Sequence, residues 1–293
     1  MFRRLKMKRG IVLRGEAGIL AAAAVAALAL VGCGAPGPFP ADSLSIVVNS
    51  DIGTGTSRVQ VAIVGPEGGR LGSNETPVSF EIQPADKTLD SEAFAADWMW
   101  LVPDAVGLYR AEVDVPTAGV WQLTVVPESG PPLAPTGFEA RDPTLAPAVG
   151  DHAPVAPIDT LATKSLEDLT TDWDPDADFY RMTLEDAFSS GRKTVVVFST
   201  PAFCQTAICG PTLETVKTVK SEFPATNFVH VEVYTDINAP GFTPTPEFLH
   251  PALGPDYWNL PTEPWVFVVD EDGVISARFE GGLIGDDIRA VLG

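Results

Sequence analysis

Two cysteines lie five positions apart in this chain, directly after an apolar run, and no other feature restricts the fold of its region so strongly. Residues 194–198 read Thr-Val-Val-Val-Phe, which is typical of a strand buried on both faces. Cys204 and Cys209 follow in a short loop, and a Gly-Pro pair then opens a helix. Because a helix N-terminus favours the thiolate over the thiol, thiol–disulfide chemistry is favoured at such a position. The residues predict a strand, a dithiol loop and a helix, in that order.

The first 33 residues have the pattern of an export signal. Six basic residues precede an apolar, alanine-rich stretch, and the sequence Leu-Val-Gly-Cys ends at Cys33. This tetrapeptide resembles the lipobox of bacterial lipoproteins, in which the signal is removed before the cysteine and the cysteine receives lipid. The resemblance implies lipidation of Cys33 and a location on the extracytoplasmic face of the bacterial cell membrane. An uncleaved anchor, or a plain signal with a chance cysteine, is the alternative.

The charge of the chain excludes some classes of partner. It carries 19 basic and 39 acidic residues, for a net charge of -20. Six of the basic residues and one acidic residue precede Cys33, so the remainder is more acidic still. An acidic surface argues against nucleic acid as a partner and against charge-driven binding to anionic lipid. Attachment to a membrane is therefore expected through the lipid anchor alone.

Residues 43–127 show the pattern of short β-strands separated by turns. Five apolar or alternating stretches carry it, namely 44–48, 58–64, 78–82, 108–115 and 120–126. This pattern predicts an all-β sandwich. Residues 107–113 and 118–123 resemble the last hairpin of immunoglobulin-like modules in exported bacterial proteins. We therefore expect an immunoglobulin-like N-terminal domain after a tether at 34–42.

Residues 128–148 are rich in Pro, Ala and Gly, a composition that predicts a semi-rigid linker. The spacing of the apolar residues changes after this stretch. A second domain is expected over 149–293. Its pattern indicates helices at 184–190, 211–223 and 286–292, strands at 194–198 and 228–234, and a hairpin at 265–269 and 274–279.

This order of elements resembles the thioredoxin fold of redoxin-type domains in exported lipoproteins. The motif Val-Gly-Asp-His-Ala-Pro at 149–154, the dithiol loop and Pro-Thr-Glu-Pro-Trp at 261–265 carry the resemblance. It implies an α/β thioredoxin-like C-terminal domain in which a cis-proline, Pro264, lies beside the dithiol. The chain departs from that family because four residues separate the cysteines instead of two. Since i and i+5 are poorly placed for a disulfide within a helix, the loop must be non-helical before Cys209.

The resemblance implies a membrane-anchored thiol–disulfide oxidoreductase without a diffusible cofactor. Exported protein thiols and disulfides are the expected substrates. Cys204 is expected to be the attacking thiol, Cys209 to resolve the mixed disulfide, and Pro264 to shape the substrate groove. A membrane or exported redox partner is expected to exchange electrons with the pair.

Two alternatives stay open at this point. The disulfide could be a structural staple in a non-catalytic, partner-binding surface lipoprotein. Alternatively, Cys204, Cys209 and His250 could hold copper, as in Sco-like copper chaperones. The histidine expected before the last hairpin is absent, because that place reads Pro264-Trp265. The redox potential of the cysteine pair separates a working couple from a staple.

Overall fold

The computed structural model describes residues 37–205 and 208–293, so the predicted signal and Cys33 lie outside the described residues. The described residues belong to one compact unit with 13 strands in two sheets and four α-helices. The longest of these helices has 12 residues, and none of them is both long and apolar enough to cross a membrane.

The first sheet has nine strands and occupies the N-terminal half. Its strands are β1 (Leu44–Val47), β2 (Ile52–Gly53), β3 (Gly55–Val64), β4 (Arg70–Leu71), β5 (Val78–Pro84), β6 (Glu92–Val102), β7 (Val106–Val115), β8 (Gly119–Pro127) and β9 (Thr136–Arg141). They pair in the order β1-β3-β7-β6-β5-β8-β9-β2, with β4 added to β3. Because the first half of β6 pairs with β5 and the second half with β7, one continuous sheet curves into a half-barrel. This architecture is compatible with the expected immunoglobulin-like β domain.

Alternate residues of these strands form the first core. Side chains two positions apart point to the same face of a strand, so Phe80 and Ile82 of β5 are both buried inside. The same alternation buries Phe138 and Ala140 of β9. Residues 128–148 were predicted to be a linker. Strand β9 lies within them and pairs with β8 and β2, so part of this segment belongs to the first sheet.

The second sheet has four strands and carries the cysteine pair. It consists of β10 (Thr194–Ser199), β11 (Asn227–Glu232), β12 (Trp265–Val269) and β13 (Ile275–Glu280), in the order β11-β10-β12-β13. Strands β10 and β11 are parallel, and the other pairs are antiparallel. The helices are α1 (Leu166–Leu169), α2 (Leu184–Ser189), α3 (Cys209–Lys220) and α4 (Gly285–Leu292). Each helix and strand predicted in this half has a counterpart within a few residues of the predicted bounds.

The expected fold class of this half, α/β thioredoxin-like, is nevertheless wrong. The described chain is mostly β, and no α/β thioredoxin-like pattern is evident in it. Within the second sheet, as far as the structure describes it, only α3 joins two consecutive strands as an α-helix. The segment from β11 to β12 contains seven prolines and forms 3-10 turns at Pro246–Phe248 and Pro251–Leu253. Proline lacks an amide N–H and clashes with the preceding turn, so this long segment cannot form a regular helix.

Buried ion pairs join the two sheets. Asp287 at the start of α4 binds Arg58 of β3 (2.9 Å) and Arg110 of β7. Arg278 of β13 binds Asp51, whose side chain is completely buried, at 3.0 Å. These contacts connect the N-terminal sheet directly to the half that carries the cysteines.

Candidate functional site

Cys204 and Cys209 form a disulfide just beyond the end of β10. The S–S distance is 2.20 Å and the Cα atoms are 5.9 Å apart. Cys209 is the first residue of α3 and is completely buried, whereas Cys204 lies in the preceding loop and is partly exposed. The backbone N–H of Cys209 donates a hydrogen bond to Cys204 Sγ at 3.3 Å. Of the two cysteines, Cys204 is the one that an incoming thiolate can approach from solvent.

A carboxylate from the loop before β12 reaches the buried sulfur. Glu263 Oε2 lies 3.7 Å from Cys209 Sγ and accepts a hydrogen bond from the Thr200 N–H at 3.1 Å. The following Glu263–Pro264 peptide bond is cis, and Pro264 itself is buried. The structure therefore places Pro264 beside the residue that contacts the disulfide, and the polar group at the site belongs to Glu263.

A second buried carboxylate lies near the first. Glu232, the last residue of β11, accepts hydrogen bonds from the Thr171 N–H at 2.8 Å and from Thr171 Oγ1 at 2.9 Å. Burial raises the pKa of Glu232 to about 7, although the hydrogen bonds from Thr200 and Thr171 oppose the shift. The end of β11 therefore contributes a carboxyl group that titrates near neutral pH.

The pKa of Glu263 is shifted in the same direction. Burial raises it to about 7, the negative charge of Glu232 adds to the shift, and the hydrogen bond from the Thr200 N–H opposes it. At neutral pH a substantial fraction of Glu263 therefore holds a proton. Its Oε2 atom is the one that lies 3.7 Å from Cys209 Sγ.

His250, the histidine considered as a copper ligand, and His230 of β11 both have other hydrogen-bond partners. His230 is buried between the Tyr180 hydroxyl, 2.6 Å from Nδ1, and the Ser199 hydroxyl, 2.9 Å from Nε2. Burial lowers the pKa of His230 to about 4, so the ring is neutral. His250 Nδ1 accepts a hydrogen bond from the Ala252 N–H at 3.1 Å, and burial lowers the pKa of His250 to about 4 as well.

The structure does not bring the proposed copper ligands together. Within residues 37–205 and 208–293, no three His, Cys, Asp or Glu side chains are grouped so that they could hold a metal ion. His250 instead borders a small cavity with Asp159 and Lys164. The site is thus a disulfide with neighbouring carboxyl groups.

Sequence reasoning missed both carboxylates. Glu263 was visible in the sequence only as the residue before Pro264, and that adjacency was the available signal. Glu232 ends a strand whose six residues are all buried, so a charged residue there was a second, weaker signal. Trp258 and Trp265 are completely buried in the core.

No known protein family matches this chain, and no curated protein matches it. Among solved structures, the chain is similar to the filamin domain of Lin-41, with 14% sequence identity and a TM-score of 0.23. The similarity covers 36% of this chain and 97% of the filamin domain.

Proposed function

We propose that this chain is an extracytoplasmic thiol–disulfide oxidoreductase that acts on exported proteins through Cys204 and Cys209. The observation that carries the proposal is the asymmetry of the disulfide. One cysteine is partly exposed, and the other is buried 3.7 Å from a carboxyl group whose pKa is close to 7. A purely structural disulfide needs no proton donor beside one of its sulfurs.

The geometry supports a defined sequence of steps. A substrate thiolate attacks Cys204 Sγ, the Cys204–Cys209 bond breaks, and its electron pair leaves on Cys209 Sγ. Glu263 in its acid form transfers its proton to that sulfur, so no thiolate is left unpaired in the interior. A second substrate thiolate then attacks the substrate sulfur of the mixed disulfide and releases Cys204 as a thiolate. The substrate leaves as a disulfide and the protein as a dithiol.

The hydrogen bond that Cys204 Sγ accepts in the disulfide is also suited to a Cys204 thiolate in the reduced state. The Cys209 N–H at the first turn of α3 donates to Cys204 Sγ, and the helix dipole favours negative charge there. The same steps therefore run in reverse when the Cys204 thiolate attacks a substrate disulfide. Both electrons are held by the two sulfurs, so no diffusible cofactor enters the scheme, and a membrane or exported redox partner restores the starting state.

The location is part of the same proposal. Residues 1–33 carry the export pattern and the lipobox-like tetrapeptide, and Cys33 is the proposed site of lipidation on the extracytoplasmic face of the membrane. A compartment outside the cytoplasm permits disulfides, which fits a cysteine pair held as a disulfide.

The full burial of Cys209 favours one second candidate, a partner-binding lipoprotein in which the disulfide is a staple. Trapping of mixed disulfides separates the two. In Cys209→Ser, no Cys209 thiol is available to resolve a mixed disulfide at Cys204. The Cys204 thiolate should therefore attack disulfides of exported proteins and accumulate as mixed disulfides with them. Non-reducing electrophoresis followed by mass spectrometry identifies them.

Cys204→Ser is the matched control for this experiment. It leaves a single thiol at the buried position, and we expect no trapped species from it. Equal trapping by both variants, or by neither while both remain folded by circular dichroism, contradicts the proposed exchange and supports the staple.

A further inference from the structure

Trp173 is the most exposed large hydrophobic residue among those that the structure describes. Its relative exposure is 83%, whereas the other tryptophans of the second half, Trp258 and Trp265, are completely buried. Exposed tryptophan is costly to hydrate and is enriched in the energetically important contacts of protein interfaces. We therefore expect Trp173 to contact another protein.

The residues on both sides of Trp173 are fixed to α3. Lys217 Nζ binds Asp172 Oδ2 at 2.9 Å and donates to the Asp174 carbonyl oxygen at 2.7 Å. The Asp172 side chain is only 3% exposed and that of Lys217 only 14%. Because the residues before and after Trp173 are both held by one buried ammonium group, the outward position of the indole is built into the fold. Helix α3 is also the helix that begins at Cys209.

A further hydrogen bond ties the Trp173 loop to the loop that carries Cys204. Thr171 Oγ1 accepts a hydrogen bond from the Ala202 N–H at 3.1 Å. Thr171 also binds the buried Glu232 carboxylate, so its position is fixed from inside. Trp173 therefore stands on a segment that is bonded to the dithiol loop two residues before Cys204.

A second aromatic group adjoins Cys204 directly. Phe203 contacts Phe242 at 5.1 Å and Tyr234 at 6.2 Å between ring centroids. All three of these aromatic residues are partly exposed. Partly exposed aromatic surface thus adjoins Cys204 itself, in addition to the indole of Trp173.

The charge around Trp173 is negative. Asp174 beside it is exposed, Asp172 on its other side is paired with Lys217, and the chain as a whole has a net charge of -20. An indole beside an exposed carboxylate attracts the side chains of arginine and lysine through cation–π and ionic interactions. The surface therefore fits a partner segment that is both apolar and basic.

We propose that Trp173 is the docking residue for protein substrates, and that it binds a basic and apolar segment next to the substrate cysteine. This inference rests on the proposed function, because it assigns a substrate class to the same disulfide. Trp173 acts by positioning the substrate and takes no part in bond exchange.

The test uses the full chain and three probes. Two peptides of equal length carry one cysteine each, flanked by Arg and Phe in the first and by Glu and Gly in the second, and dithiothreitol is the third probe. In Trp173→Ala, the second-order rate constant for attack of the Arg/Phe peptide thiolate on the Cys204–Cys209 disulfide should fall about tenfold or more, since truncating an interface tryptophan typically costs that much affinity. Reduction by dithiothreitol and the redox potential should be unchanged. Trp173→Phe should retain part of the rate that the unaltered chain shows with the Arg/Phe peptide.

Val120→Ala is the matched control, because Val120 is 61% exposed on β8 of the other sheet. Exchange that proceeds normally in Trp173→Ala with both peptides overturns the docking role and leaves the proposed function intact. An equal loss of rate with dithiothreitol also overturns it, because a docking residue cannot affect a small dithiol in that way.

A binding measurement keeps the inference testable if no probe is exchanged, a result that would refute the proposed function. The Arg/Phe peptide with serine in place of cysteine is labelled, and its binding is followed by fluorescence anisotropy. We expect roughly tenfold weaker binding to Trp173→Ala than to the unaltered chain. Equal binding by the two proteins refutes docking at Trp173.

Discussion

At the residue scale, the proposed exchange depends on one carboxyl group. Glu263 lies 3.7 Å from Cys209 Sγ, and burial together with the charge of Glu232 raises its pKa to about 7. Below that pH the acid form predominates and can protonate the leaving Cys209 sulfur. Above it the group is a carboxylate, which repels the developing thiolate.

We therefore expect Glu263→Gln to change the pH dependence of exchange. In the unaltered chain, the rate of attack on the disulfide, corrected for the thiolate fraction of the attacking thiol, should decline as the pH rises through about 7. Glu263→Gln should remove this inflection and lower the corrected rate at pH 6 by roughly 10²-fold, as expected for loss of a general acid. Stopped-flow kinetics between pH 5.5 and 9 measure both. An unchanged inflection in Glu263→Gln contradicts the assigned role.

At the element scale, one ammonium group bonds α3 to the Trp173 loop. Lys217 joins Asp172, the Asp174 carbonyl and Glu214, and the Asp172 carboxylate is nearly inaccessible. A charge buried in this way is stable only while its partner is present.

Lys217→Met should destabilise the fold because it leaves the Asp172 carboxylate unpaired. We expect the free energy of unfolding to fall by about 3 kcal/mol. Lys217→Met combined with Asp172→Asn should recover a large part of that loss, since no buried charge then remains. Urea unfolding of the two single variants and the double variant gives the coupling energy. A coupling close to zero would show that the ion pair does not hold the loop.

Individual strands and helices could be predicted where the apolar period is strong. The continuous runs that become β10 and β12 are buried along their whole length, and the sequence pattern located both. Strand β6 went unpredicted because its Ala-Asp-Trp-Met-Trp segment changes pairing partner midway and shows no clean alternation. The fold class of the C-terminal half could not be read from local pattern, because it depends on what the proline-rich segment after β11 does in three dimensions.

At the scale of the whole molecule, the two sheets form one compact unit joined by buried charge. Arg58 and Asp287 are 229 positions apart, and their side chains are 12% and 11% exposed. No periodicity of either segment indicates such a pair, since local pattern reports only which face of an element is buried. The sequence pattern, which predicted two domains separated by a linker, therefore could not predict this contact.

Asp287→Asn tests whether this contact couples the two halves. The substitution leaves Arg58 and Arg110 without their carboxylate, so we expect a loss of about 3 kcal/mol in the free energy of unfolding. The single cooperative transition expected for the unaltered chain should broaden or split in two. Circular dichroism and tryptophan fluorescence, followed together during urea unfolding, detect the splitting.

The neighbouring Asp286→Asn is the control for this prediction. The Asp286 side chain is 80% exposed and pairs with Arg289 at the surface, so its loss should change the free energy of unfolding by less than about 1 kcal/mol. If both variants behave alike, the two halves are not coupled through Asp287.

The redox potential of the Cys204–Cys209 pair tests the central claim most directly. The full chain is equilibrated in thiol–disulfide buffers of graded potential, the free thiols are alkylated, and the products are resolved by mass. The account predicts a single two-electron transition between about −120 and −270 mV, the range of working oxidoreductases, with Cys204 alkylated first. A pair that stays oxidised well below about −300 mV is a structural disulfide, and that result would contradict the proposed function.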